Sequence, residues 1–269
     1  MYIGKHFFDI KNHTYVMGIL NVTPDSFSDG GNYDTLDKAR FQAESMVAKG
    51  VHIIDVGGES TRPGHQQISV AEEIDRVAPV IEVLAREFDL PISVDTYKSA
   101  VAQVAIDAGA TMVNDIWGLQ YDDAMAKLLS EKEVAVCLMH NRKEAVYQDF
   151  LPDVINDLQK SVSKALAAGI KSERIVLDPG VGFAKSYEQN LIVLKQLQQF
   201  VNLGYPLLLG ASRKSVVGLT LDLPKDQREE GTLVTTVGAV MAGYGFVRVH
   251  DVEKNIQAIK MAEAIRQAS

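Results

Sequence analysis

The feature that most constrains this chain is an alternation. Eight short, apolar, β-branched runs recur along it, at residues 15–20, 51–56, 91–94, 111–114, 134–139, 175–177, 206–209 and 246–249. They are too continuously apolar for strands with one wet face, and burial on both faces, as in a parallel sheet, explains them. Longer segments of helical period lie between them. Ser69 with Glu72, and Ser186 with Gln189, have capping-box spacing. Gly50, Gly109 and Gly169 each sit between a helical segment and the next run, where glycine stops a helix. The last helix is expected over 252–268. No linker or low-complexity stretch divides the units. Eight alternations in one undivided chain predict an α/β fold, a single (β/α)8 TIM barrel over residues 1–269, rather than a doubly wound open sheet. Residues 1–13 precede the first unit and are expected to cover one end of the barrel.

Composition narrows the function. A length of 269 residues suits one such barrel, which typically needs about 250. The formal net charge of −8 argues against a nucleic-acid binder. A mean hydropathy of −0.01 argues against a membrane span, as does the lack of any long apolar run. The N-terminal residues carry scattered charges and no apolar core of a secretory signal, so a cytoplasmic protein is expected. A lone cysteine, Cys137, forms neither an internal disulfide nor a cysteine-based metal site, and its mid-strand position suggests a buried, inert thiol. Phosphate-loop, nucleophile-elbow and zinc-hydrolase motifs are absent. Gly180-Val-Gly182 lacks the third glycine of a dinucleotide-binding turn.

In a barrel, residues at the C-terminal ends of the strands converge on one mouth. The first two strands lead into NVTPDSFSDGG (21–31) and GGESTRPG (57–64), which are long, polar and suited to mobile lids. Phe27, Ser60, Thr61 and Arg62 give these loops groups that can meet a substrate. The third strand ends at Asp95-Thr-Tyr-Lys98, the fourth at Asn114-Asp115 and the sixth at Asp178-Pro-Gly-Val-Gly-Phe183. A carboxylate can accept two parallel N–H bonds from an amidine-like edge, such as that of a pterin or guanine. Asn114 offers both a donor and an acceptor. Each of these residues alone fits a helix cap equally well, but together they favour a pocket. The seventh strand leads to Gly210-Ala-Ser-Arg-Lys-Ser215 and the eighth through Arg248-Val-His250-Asp251. Arg213, Lys214, Arg248 and His250 therefore flank the frequent phosphate site of this fold. Arg213 fits a solvent- or helix-facing charge as well. Arg248, lying between Val247 and Val249, needs an anionic or stacking partner if it points inward.

The segments MGILNVTPDSFSDGG, KGVHIIDVGGESTRPG, PISVDTYKSAVA, GATMVNDIWGL, IVLDPGVGFAK, LLGASRKSVVG and VRVHDV resemble, in order and spacing, the bacterial dihydropteroate synthases of the pterin-binding enzymes. The resemblance covers essentially the whole chain. It implies a homodimeric barrel acting with Mg2+. It also implies that 6-hydroxymethyl-7,8-dihydropterin diphosphate is joined to p-aminobenzoate, giving 7,8-dihydropteroate and diphosphate, with sulfonamides as competitors. It implies Asp95, Lys214 and Arg248 as catalytic residues, and Asp95, Asn114, Met139, Asp178, Lys214 and Arg248 as the pterin pocket. Asn21, Arg248 and His250 would hold the diphosphate, with Asn21 also a Mg2+ ligand. Phe27, Thr61, Arg62, Pro63, Phe183 and Ser215 would frame p-aminobenzoate. The expected mechanism is a dissociative substitution, with Asp95 and the region of Asp29 favouring positive charge on the pterin methylene. The fifth loop departs from many relatives, reading Asn141-Arg142-Lys143 where they have a glycine-containing turn, and His140 beside it reads as structural. Two other functions share parts of this pattern. A methyltetrahydrofolate–corrinoid methyltransferase has a similar Asp/Asn/Asp set but no need of Asn21, Ser-Arg-Lys and Arg-x-His. The other is a pterin-binding paralogue without turnover.

Overall fold

The computed structural model describes residues 1–23, 32–60 and 67–268. An antiparallel ribbon, β1 (Tyr2–Ile3) with β2 (His6–Phe7), comes first. Eight βα units follow among the described residues. The strands are β3 (Tyr15–Asn21), β4 (Ile53–Gly57), β5 (Ile92–Asp95), β6 (Met112–Asp115), β7 (Ala135–Met139), β8 (Ile175–Asp178), β9 (Leu208–Leu209) and β10 (Phe246–Val249). The helices are α1 (Asn32–Ala48), α2 (Val70–Glu87), α3 (Ser99–Asp107), α4 (Asp123–Lys132), α5 (Phe150–Ala167), α6 (Tyr187–Lys195), α7 (Leu197–Val201), α8 (Ser215–Leu221), α9 (Glu229–Ala242) and α10 (Val252–Gln267). Each barrel strand pairs in parallel with the next in chain order, β10 returns to β3, and a bridge between Leu177 and Leu207 closes the ring. This is the (β/α)8 barrel that the alternation predicts.

Strand pleating sends alternate residues inward. Met17, Ile53, Met112, Ala135, Cys137, Val176, Leu208 and Phe246 form one cluster inside the barrel, with Ile3 and Phe8 of the N-terminal segment packed into it. The intervening residues, among them Val16, Ile54, Val94, Val136, Leu177 and Val247, pack against the helices. Both faces are buried, so the runs are apolar throughout. The helix ends follow their local chemistry. Ser69 accepts from the Glu72 N–H, and Ser186 with Gln189 forms a full capping box. Gly109 leaves α3 at φ 118°, a conformation natural to glycine.

Two differences from the sequence reading bear on the site. Five strands run one residue further than the apolar runs, so Asn21, Gly57, Asp95, Asp115 and Asp178 are the last strand residues rather than the first loop residues. The side chains of Asn21, Asp95, Asp115 and Asp178 are therefore aimed by the sheet. The seventh strand is shorter than 206–209. Pro206 has no N–H, and its carbonyl instead accepts from Leu177 N at 2.9 Å.

Candidate functional site

The register sets the site. Gly57 lies beside Asp95, Asp95 beside Asn114, and Met139 beside Asp178. Asp95, Asn114 and Asp178 share the inward parity of Ile53 and Met112, one layer higher, and are almost fully buried. Asp115, one residue on, faces out and accepts from the N–H groups of Trp117 and Leu119. From β10, Arg248 reaches across the barrel. Its Nε donates to Asp55 Oδ2 at 2.6 Å and its Nη2 to Asp95 Oδ2 at 2.7 Å. Asn114 Nδ2 donates to the same Asp55 oxygen at 3.3 Å. Asp55 is a site residue that the sequence reading missed. Its signal was a carboxylate inside the apolar run 51–56, on the parity of Ile53, where a charge needs a counter-ion.

On the other side, Asp178 Oδ1 accepts from Gly180 N at 2.7 Å, and Lys214 Nζ donates to the Val181 carbonyl. Gly210 keeps this corner open: a Cβ there would lie 3.2 Å from Asp178 Oδ2 and 3.8 Å from Lys214 Nζ. The Lys214 ammonium also stands 4.6 Å over the Phe183 ring. Met139 packs with Tyr97 and Ile116, with Phe183 and Trp117 against them, making an apolar wall. His250 shares a hydrogen bond between its Nδ1 and Ser212 Oγ at 2.9 Å. Asn21 ends β3 beside Gly57, where a Cβ would meet its Oδ1 at 3.4 Å and the Asp95 Cβ at 3.7 Å. Ser215 is exposed at the start of α8. Phe27, Asp29, Thr61, Arg62 and Pro63 lie outside the described residues. Arg213 turns away and pairs with Glu229 of α9 at 3.3 Å.

Burial shapes the electrostatics. Burial, with the nearby charge of Asp55, outweighs Arg248 and raises the Asp95 carboxyl to about 7. Burial and Arg248 lower Lys214 to about 8 against the opposing pull of Asp178 and Asp95. Burial raises Asp178 as well, opposed chiefly by Lys214. It also raises the Cys137 thiol, consistent with an inert side chain. Among the described residues, Asp55 Oδ1 and Asp95 Oδ1 are buried oxygens with no hydrogen-bond partner. Such acceptors normally find donors.

The Asp95 shift carries a stability prediction. A carboxyl raised from 3.8 to about 7 binds its proton more tightly in the folded chain than in the unfolded one. Its stabilising contribution is complete below the unfolded value and disappears as pH rises through about 7. Asp95→Asn is expected to remove this component, flattening the dependence of Tm on pH between about 4 and 7. A variant that keeps the wild-type slope there would show that Asp95 is ionised throughout.

A second charged cluster stands beside the site. Lys98, three residues after Asp95, turns to Glu59 Oε2 at 2.5 Å, Glu73 Oε2 at 2.7 Å and the Ile68 carbonyl at 2.9 Å. Tyr97 donates to the other Glu59 oxygen at 2.5 Å. Burial works against the Lys98 charge, but Glu59 and Glu73 together raise its pKa. Both ends of the loop after β4 are thereby tied to the end of β5. The partners lie far apart in the chain, so local sequence gave no sign of this cluster.

The fold and the pocket define a (β/α)8 barrel whose mouth gathers buried carboxylates, an amide and two cationic side chains, Lys214 and Arg248. The comparisons agree. The pterin binding enzyme family matches residues 17–250. Dihydropteroate synthases of Clostridium beijerinckii and Bacillus subtilis are 51% and 53% identical, over 98% and 95% of this chain and 99% and 90% of their own lengths. A solved dihydropteroate synthase from Clostridium difficile, in the presence of pteroic acid, superposes with a TM-score of 0.95 at 50% identity, covering 97% of this chain and 100% of its own. The Yersinia pestis enzyme with a sulfonamide drug superposes at 0.92 and 41% identity, covering 100% and 99%. The Xanthomonas albilineans enzyme with 4-aminobenzoic acid superposes at 0.92 and 39%, covering 96% and 95%. The chain belongs to the pterin-binding enzyme family, in its dihydropteroate synthase branch, whose members are transferases of folate biosynthesis.

Proposed function

We propose that this chain condenses 6-hydroxymethyl-7,8-dihydropterin diphosphate with p-aminobenzoate, giving 7,8-dihydropteroate and diphosphate. The observation that carries the reading is the convergence of Asp95, Asn114, Asp178, Lys214 and Arg248 on one buried patch that holds an unpartnered carboxylate oxygen. Asp178 accepts from the amino and ring N–H edge of the pterin, and Lys214 donates to its carbonyl side. Arg248, fixed along one edge by two carboxylates, presents its face to the ring and its remaining N–H groups to the diphosphate. Met139 lines the ring, and Asn21 and His250 complete the anion side. Phe183 and Ser215, with Phe27, Thr61, Arg62 and Pro63, frame p-aminobenzoate. Related enzymes solved with pteroic acid, 4-aminobenzoic acid and a sulfonamide support this assignment and make sulfonamides expected competitors.

The amine of p-aminobenzoate is weakly basic and needs no strong base. The difficult step is breaking the C–O bond, whose electron pair leaves with diphosphate. The dihydropterin shares the positive charge left on its methylene, and the carboxylates around it favour that charge. The amine nitrogen then bonds the methylene carbon and releases its proton. Positioning two reactants in one closed site contributes on the order of 7–11 kcal/mol in favourable cases.

Mg2+ fits as a partner of the substrate rather than of a protein cage. Among the described residues, no group of three or more His, Cys, Asp or Glu side chains is arranged to hold a metal, and the implied ligand, Asn21, offers one amide oxygen. Mg2+ commonly binds through one or two protein ligands plus phosphates. When bound it supplies charge neutralisation on the diphosphate.

We also infer a homodimer. On α9, Val234, Val237 and Met241 share one face and are 72%, 38% and 48% exposed, and Leu219 on neighbouring α8 is 66% exposed. A second copy covers this apolar face.

A coupled assay with both substrates tests the function. Diphosphate and 7,8-dihydropteroate in equal amounts are expected. Binding of the pterin substrate without either product would contradict the proposal.

A further inference from the structure

Lys185 is a cation of intermediate exposure, at the base of the loop after β8, that this chemistry leaves unused. It follows Phe183 by two residues, and its ammonium lies between the loop after β8 and the end of β7. Its Nζ donates to Gly180 O at 2.9 Å and Phe183 O at 3.0 Å, and is 2.8 Å from His140 Nδ1. An ammonium has three donors, and all three are taken by acceptors that carry no charge. His140 Nε2 lies 3.4 Å from Asp157 Oδ2, which Arg142 Nε holds at 2.6 Å. A neutral imidazole with its proton on Nε2 leaves Nδ1 free to accept from Lys185, while Nε2 stays near Asp157 without a hydrogen bond. Burial and the Lys185 charge hold His140 in that neutral form, lowering its pKa to about 3. The departure at Asn141-Arg142-Lys143 thus has a purpose in this chain, because Arg142 pins Asp157 and also stacks 4.3 Å over Tyr147.

The surrounding backbone has little room to move. A Cβ at Gly180 would lie 2.0 Å from the His140 carbonyl oxygen. His140 N donates to Asp178 O at 2.9 Å, and Asn190 Oδ1 accepts from Gly182 N at 2.6 Å. We propose that Lys185 is a positioning residue for both substrates, its ammonium fixing residues 180–183 so that Asp178 and Phe183 hold their places on two sides of the pocket. This rests on the function proposed above.

The hold depends on protonation. A neutral amine has two donors and a lone pair, so one of the three contacts becomes a repulsion. The charged groups that face Lys185 are Asp178 and Asp157, which favour its charge, and Lys214 and Arg142, which oppose it, with neutral His140 in contact. Burial is the largest influence and lowers Lys185 to about 7. The loop is therefore held most firmly below neutrality and loosens as pH rises.

Steady-state kinetics of the full-length protein test this. Lys185→Met is expected to raise KM for p-aminobenzoate about tenfold, with a smaller change in kcat, and to flatten the rise of that KM with pH expected of the wild type. Lys185→Arg keeps the charge and is expected to recover part of the affinity. A Lys185→Met protein with wild-type KM and pH profile overturns the proposal. If that variant does not fold, 15N NMR of the wild type decides. The His140 Nδ1 resonance is expected to move between about pH 6 and 9 as Lys185 titrates, and an invariant resonance overturns the proposal. A wild-type protein that neither forms dihydropteroate nor binds pteroic acid by calorimetry would contradict the proposed function. Normal turnover with an indifferent Lys185→Met contradicts this inference alone.

Discussion

Arg248→Ala is expected to destabilise the fold by about 3–5 kcal/mol and to abolish turnover, the destabilisation being typical of breaking a buried charge network. The guanidinium is hydrogen-bonded to Asp55 and Asp95, whose side chains are 0% and 6% exposed. Its removal leaves two carboxylates facing each other in the barrel, with Asn114 Nδ2 the remaining side-chain donor to Asp55 among the described residues. A proton on Asp95 relieves part of that repulsion, so the loss measured by urea unfolding is expected to be larger at pH 8 than at pH 5. Adding Asp55→Asn to Arg248→Ala is expected to recover stability, because the two residues are directly coupled. Arg248→Lys recovers less, since one ammonium cannot reproduce a planar fork that spans two carboxylates. An unchanged urea midpoint in Arg248→Ala would mean that the two carboxylates do not depend on it.

Asp178→Asn is expected to leave the fold intact and to weaken binding of the pterin substrate by roughly 1.5–3 kcal/mol, the range of a hydrogen bond to a charged group. Asp178 Oδ1 is occupied by the Gly180 N–H at 2.7 Å, and the asparagine carbonyl can keep that bond. The new amide nitrogen then takes the place of Oδ2, beside Gly210 and the Lys214 ammonium. A donor there faces Lys214 and the N–H groups of the pterin, where an acceptor is needed. Calorimetry with the pterin diphosphate measures the effect. Wild-type affinity would remove Asp178 from pterin recognition.

Much of this arrangement was legible because a parallel barrel couples local pattern to global position. Continuous apolar runs located the strands, and the convergence of strand ends on one mouth then gathered Asp95, Asn114, Asp178 and Arg248. Partners that are distant in sequence were harder to see. Asp55 is 193 residues from Arg248 and lay hidden in a run read for its apolar residues. Lys185 sits in an irregular loop with no period, and its partners come from the residue after β7, His140, and from its own turn. Lys98 looked like part of the Asp95 loop, yet it answers to Glu59 and Glu73. Arg213 and Lys214 are adjacent and chemically alike, and backbone geometry separates them. At Arg213 the chain turns through φ 56°, which sends its side chain to Glu229 and leaves Lys214 to the pocket. Residue type gave no warning of that division.

The most direct measurement is the rate at which diphosphate is released from the pterin substrate when p-aminobenzoate is withheld. If the pocket itself weakens the C–O bond, release in the presence of the protein is expected to be faster than in buffer, and Arg248→Lys is expected to slow it. A pterin diphosphate as inert in the protein as in buffer, cleaved only when the amine is added, would contradict a dissociative reaction prepared by the carboxylates and cations of this barrel mouth.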